Sequence, residues 1–215
     1  MSVLLSEDRE RLSGFATVAA VCAAVFVRVP SATVVENVRA VGTALGLRWF
    51  DGIEASPELE QRYYDRLFVS SHPAFVPLHE DCVRGGYEER GRFRFGKTDG
   101  RFCEHVLGCY RAVGFDYRLI EGFAPAISAL KPDSLASELA FSAFLAQQAL
   151  LLEESDPPAA CRAVTLLAEF SRDHSARWFF DAAACLERFE DDFYARAALL
   201  AADAAQTMAE GEGAF

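Results

Sequence analysis

Helix-starting signals recur from one end of this chain to the other and leave a single interval for anything else. Ser31 stands ahead of Val34, Val35, Val38 and Val41, a capping hydroxyl before an apolar face that reaches about Leu45. Ser56-Pro57-Glu58 combines a cap, a proline at the first helical position and an acid facing the helix dipole. Asp156-Pro157 repeats the device. Ser6 is placed to cap a first helix, which Pro30 ends because proline disfavours helical geometry in the residue before it.

From Asp99 the period resumes through Phe102, Val106, Leu107 and Tyr110, with Gly114 as the stop. Another helix runs from Pro132-Asp133, capped by Asp133, to about Glu154. A further one holds Trp178, Phe179 and Leu186, and a last begins at Asp191-Asp192 and carries Phe193, Leu199 and Leu200. The tail from Glu210 to Phe215 is expected to fray. The expected class is all-α, a multi-helix fold of roughly ten helices. The exception is the segment 69–98, where Pro73, Pro77, Gly85, Gly86, Gly91 and Gly96 leave no room for a long helix. Within it Arg92-Phe93-Arg94-Phe95 alternates like a short strand, read as a hairpin or loop with solvated arginines and inward phenylalanines.

The 215 residues suit one domain over 1–215, with room for two lobes and a hinge near 115–132. A hinge there would allow exchange of elements between protomers, so both monomer and dimer stay open. The run Leu12 to Val29 carries only Arg28 as a charge, but its flank Ser6 to Arg11 is not the basic region of a leader, and Gly14 and Thr17 weaken it as a span. It reads as a buried first helix. No membrane insertion is expected, and the location is cytoplasmic. A net charge of −11 opposes a phosphate backbone and suits a cationic partner, which excludes nucleic acid despite the basic, aromatic stretch Arg90 to Lys97.

Enzyme motifs are lacking: there is no phosphate loop, no dinucleotide fingerprint, no paired-histidine zinc helix and no nucleophile elbow. His72, His79, His105 and His174 are dispersed. The six cysteines lack C-x-x-C spacing and read as buried, reduced thiols. In Cys103-x-His105-x-x-x-Cys109 the last two share a helix face and Cys103 does not, so no metal site is expected. No catalytic residue and no cofactor is expected either.

Two stretches suit recognition. Tyr64, Leu67 and Phe68 form one apolar helix face just before the proline-rich segment, as the wall of a peptide cleft would. Glu138 lies in a helix apolar on nearly all sides, so it must face a groove, pair with a cation or shift its pKa.

These residues resemble a known family. Tyr64-x-x-Leu67-Phe68, followed by Pro77-Leu78-His79-Glu80-Asp81-Cys82-Val83, is similar to a conserved region of the TorD/DmsD/NarJ redox-enzyme maturation chaperones. Pro132-Asp133-Ser134-Leu135 with Glu138-Leu139 is similar to their E-P-x-D-H-L signature, with Ser134 at the histidine and Leu130-Lys131 around the glutamate. The stretch from Phe170 through His174 and Trp178 to Phe193-Tyr194 resembles their last helices. The resemblance implies a cytoplasmic, non-enzymatic chaperone. Its partner would be the apo-form or twin-arginine signal peptide of a molybdopterin-dependent oxidoreductase catalytic subunit. The implied peptide-binding residues are Tyr64, Leu67, Phe68, Pro77, His79, Glu80, Asp133, Ser134 and Glu138, with Glu80, Asp133 and Glu138 as arginine acceptors. The alternatives are a NarJ-like chaperone of a non-exported reductase subunit and a helical small-molecule binder or enzyme.

Overall fold

The computed structural model describes residues 6–188 and 193–211. Among them the helices are α1 (Ser6–Val27), α2 (Ala32–Ala44), α3 (Pro57–Leu67), α4 (Glu80–Arg84), α5 (Arg101–Val113), α6 (Ala124–Ala129), α7 (Leu135–Leu152), α8 (Pro157–Phe170), α9 (Ala176–Glu187) and α10 (Phe193–Glu210). A 3-10 turn covers Tyr117–Leu119, and a π-helical turn, Ser171–Ser175, joins α8 to α9 without a break. Strands β1 (Tyr87–Glu89) and β2 (Arg92–Arg94) form one antiparallel hairpin, with Tyr87 opposite Arg94. The chain is all-α, as its punctuation requires.

Local chemistry explains most of these boundaries. Ser31 accepts the Val34 N–H at 3.4 Å, Ser56 the Leu59 N–H at 3.2 Å and Asp156 the Ala159 N–H at 3.0 Å. Gly114 ends α5 in the left-handed region at φ 72°, which costs glycine nothing. The start assigned to α10, Asp191-Asp192, lies outside the described residues, as do the last four residues of the tail. Within the irregular segment the short helix α4 was not legible, and α6 was missed inside the expected hinge. That hinge segment is tied to the end of α1 by the Phe123 N–H, which donates to Val27 O at 2.7 Å.

One start is corrected. The cap of α7 is Ser134, whose Oγ accepts the Ser137 N–H at 3.2 Å, and not Asp133. Asp133 is one residue too early to reach the first turn, and its carboxylate is used elsewhere.

The core follows from α7, which is apolar on nearly every side. α1 lies along one of its faces and α8 along another, while α10 covers α9 and α1. One contiguous apolar cluster runs from Leu12 on α1 to Met208 on α10. Two stretches, Glu7–Val27 and Leu135–Leu152, are long and apolar enough to cross a membrane. More than half of each is buried within the fold, as in the core helices of a globular protein. The cysteine expectation holds for Cys22, Cys82, Cys103 and Cys185, but Cys109 is half-buried and Cys161 exposed.

Candidate functional site

The residues Phe75 to His79 leave the turn after α3 in an extended conformation and are clamped on both sides. On one side the Val76 N–H donates to Arg66 O at 2.9 Å. On the other, His79 pairs with Ser134 in an isolated antiparallel bridge, and the Leu135 N–H donates to Leu78 O at 3.0 Å. The Glu80 N–H closes the clamp on Asp133 O at 2.8 Å. Between this segment, the end of α3, α6 and the first turn of α7 lies a cleft of about 100 Å³. Phe26, Leu67, Phe68, Phe75, Val76, Pro77, Leu78 and Leu135 make its walls apolar, and His79 and Ser134 supply its polar atoms.

An aromatic cluster stiffens one wall. The Phe68 ring lies 5.1 Å from Tyr63, 6.4 Å from Tyr64 and 6.0 Å from Phe123, centroid to centroid. Tyr64 borders the cleft without lining it, and its hydroxyl donates to Glu60 at 2.9 Å.

Asp133 lies beneath His79, with 1% of its surface exposed. Its Oδ2 accepts the Asp81 N–H at 3.1 Å, and its Oδ1 is 3.8 Å from His79 Nδ1. Asp81 in turn caps α5 from outside that helix: its carboxylate accepts the N–H groups of Gly100 at 2.8 Å, Phe102 at 3.2 Å and Cys103 at 3.0 Å. The loop before α7, the first turn of α4 and the start of α5 are thus held by two adjacent carboxylates.

Burial pushes the Asp133 carboxyl up from 3.8 to about 6. Burial, with Lys131 nearby, pulls the His79 imidazole down from 6.5 to about 4. Asp133 holds its proton more tightly folded than unfolded, so its contribution to stability falls as pH rises from 3.8 to about 6. His79 acts in the opposite sense: stability is regained as pH rises from about 4 to 6.5. The two terms oppose each other in the wild type. Asp133→Asn removes only the first, so relative to wild type it is expected to gain about 2 kcal/mol between pH 4 and pH 6. Urea midpoints across that range measure it, and parallel pH profiles for the two proteins would contradict it.

Glu80 and Glu138 lie elsewhere. Both are fully buried, in a polar cluster with His174. Glu80 accepts from Arg84 Nη1 at 2.5 Å and bonds His174 Nδ1 at 2.7 Å. Glu138 Oε2 accepts from Trp178 Nε1 and Ser175 Oγ, each at 3.1 Å. Burial, reinforced by the Glu80 charge, holds the Glu138 carboxyl well above its ordinary pKa.

The structure therefore brings Leu67, Phe68, Pro77, His79 and Ser134 to one cleft, with Tyr64 beside it. It places Glu80, Asp133 and Glu138 inside, at 0%, 1% and 0% exposure, with internal partners. In this conformation those three carboxylates offer no surface to an incoming arginine, which corrects the sequence expectation. Phe26, Phe75 and the α6 residues of the cleft were missed. Only Pro125 in the first turn of α6 signalled that helix. The partners of Glu138 were missed too, although a carboxylate on an apolar helix was itself the sign that partners had to exist.

A family model described as the nitrate reductase delta subunit matches residues 36–184, which includes α3 to α8 and most of the cleft and the buried polar cluster. Neither a curated protein nor a solved structure matches the chain. With well over half of its 215 residues matched, in a helical fold, this chain belongs to the nitrate reductase delta subunit family, the NarJ/TorD-like chaperones of redox-enzyme maturation.

Proposed function

We propose that the chain binds the precursor of a molybdopterin-dependent oxidoreductase subunit in the cytoplasm, through an apolar segment of the precursor's twin-arginine leader seated in the cleft beside Phe68. The observation that carries this reading is the cleft itself: a rigid aromatic wall faces an extended segment whose register is fixed by the bridge from His79 to Ser134. Peptide grooves combine such an apolar floor with a few placed polar groups. Recognition is by binding alone, with no bond chemistry.

The leader's arginines need carboxylates at the surface. Glu60 and Asp65 on α3 are on the same helix as Leu67 and Phe68, and Glu60 is exposed beside Tyr64. They take the part that the buried Glu80, Asp133 and Glu138 cannot take in this conformation.

The test is titration of the full chain with labelled leader peptides from reductase subunits encoded beside it, at low and high salt. Saturable binding that weakens with salt is expected. Glu60→Gln combined with Asp65→Asn is expected to weaken it by up to about 30-fold at low salt, two surface pairs at roughly 0.2–1 kcal/mol each. Binding of a mature reductase domain but of no leader would move the assignment to a chaperone of a non-exported subunit.

A further inference from the structure

We propose that His105, Cys109 and His174 form a binding site for a divalent transition-metal ion of borderline softness, zinc above all. The site opens onto a cavity separate from the cleft. His105 and Cys109 are four residues apart on α5, and so share a helix face. His174 comes from the π-helical turn, 65 residues beyond Cys109, a rare irregularity that is often found at functional sites. The nitrogen and sulfur donors of the three all lie within 4.8 Å of one another, and His105 Nδ1 is 2.7 Å from His174 Nε2. A tetrahedral ion with nitrogen ligands at about 2.0–2.1 Å and sulfur at about 2.3 Å holds its donors roughly 3.3–3.8 Å apart. A small rotation of the exposed His105 ring meets that spacing.

The surroundings are those of a ligand set. His174 Nδ1 is bonded to Glu80 Oε2 at 2.7 Å, which turns Nε2 toward His105 and Cys109. Such a carboxylate behind an imidazole fixes the ring and raises its basicity toward a metal. Arg84 anchors the carboxylate from the far side. The cavity in front is about 280 Å³ and is lined by His105, Cys109 and His174 together with Glu169 and Asp173. A water or an outside donor has access to the fourth position from there.

A second grouping, Glu80 with Glu138 and His174, is also close enough for an ion. There, however, all three side chains are buried, both Glu80 oxygens are engaged, and Trp178 and Ser175 occupy Glu138 Oε2. Two imidazoles with one thiolate match zinc better than a sealed pair of carboxylates does. Without an ion, the same atoms would form a plain hydrogen-bonded chain from Glu80 through His174 to His105, and the experiment separates the two cases.

The full-length chain is stripped of metal and titrated with zinc against a chromophoric chelator, then with cobalt as a spectroscopic substitute. One ion per chain is expected, with a thiolate-to-cobalt charge-transfer band in the near ultraviolet. Cys109→Ser abolishes the band and His105→Ala weakens zinc binding by more than about 10-fold, while Cys161→Ser changes neither. His105 is exposed and Cys109 half-buried, and circular dichroism checks that both variants remain folded. Less than one ion per chain, a cobalt complex without the charge-transfer band, or binding that survives both His105→Ala and Cys109→Ser would overturn the site.

Discussion

Trp178→Ala is expected to cost about 4–5 kcal/mol of unfolding free energy, most of the stability of a domain at the low end of the usual range of about 5–15 kcal/mol. Two losses combine. The indole is fully buried against Phe179, at 5.0 Å between centroids, so its removal leaves a cavity between α9 and α7 that the packed core cannot close. Its Nε1–H also donates to Glu138 Oε2, and without it a buried carboxyl loses one of its two donors. Trp178→Phe weights the second loss, because it removes the donor while keeping most of the apolar volume and leaving a smaller cavity; about 2 kcal/mol is expected. Combined with Glu138→Gln, it should show a coupling of about 1 kcal/mol or more in a double-mutant cycle. Urea midpoints measure all of these. A Trp178→Phe cost below about 0.5 kcal/mol would mean that the hydrogen bond to Glu138 contributes nothing to stability.

Ala129→Trp should abolish most client binding without disturbing the fold. Ala129 is exposed on α6 at the rim of the cleft, where an indole would fold over the space in front of Phe68 and Pro77. An anchoring side chain lost from such a pocket removes about 2 kcal/mol or more, so peptide affinity is expected to fall at least about 30-fold. An exposed substitution of this kind leaves stability within about 0.5 kcal/mol, and the melting temperature serves as the control. Undiminished affinity at an unchanged melting temperature would place the client somewhere other than the cleft.

The helical class, the caps at Ser31, Ser56 and Asp156, and the stop at Gly114 were legible because each is a short-range effect. A capping side chain reaches an amide only two or three residues ahead, and a left-handed stop depends on one residue. The apolar face of Tyr64, Leu67 and Phe68 was legible for the same reason, since its members are one helical turn apart. Family membership was readable too, because the motifs that carry it follow one another in order along the chain.

What lay beyond that range was set by packing. α5 is capped by Asp81, about twenty residues before the helix, and no local pattern marks a cap that arrives through space. Asp133 was read as the cap of α7 because it precedes the helix, but its carboxylate is spent on the Asp81 amide and Ser134 caps instead. Glu138 had to face a groove, meet a cation or change its pKa, and only the approach of α9 and the π-turn selected burial beside Trp178. Likewise Cys109 and His105 gain His174 only because α8 folds back along α7. Through the sequence alone, the protein's long helices and its kinship were determined; the short helices α4 and α6, which of its carboxylates face solvent, and which side chains share a pocket were decided by contacts between residues far apart in the chain, which no helical period encodes.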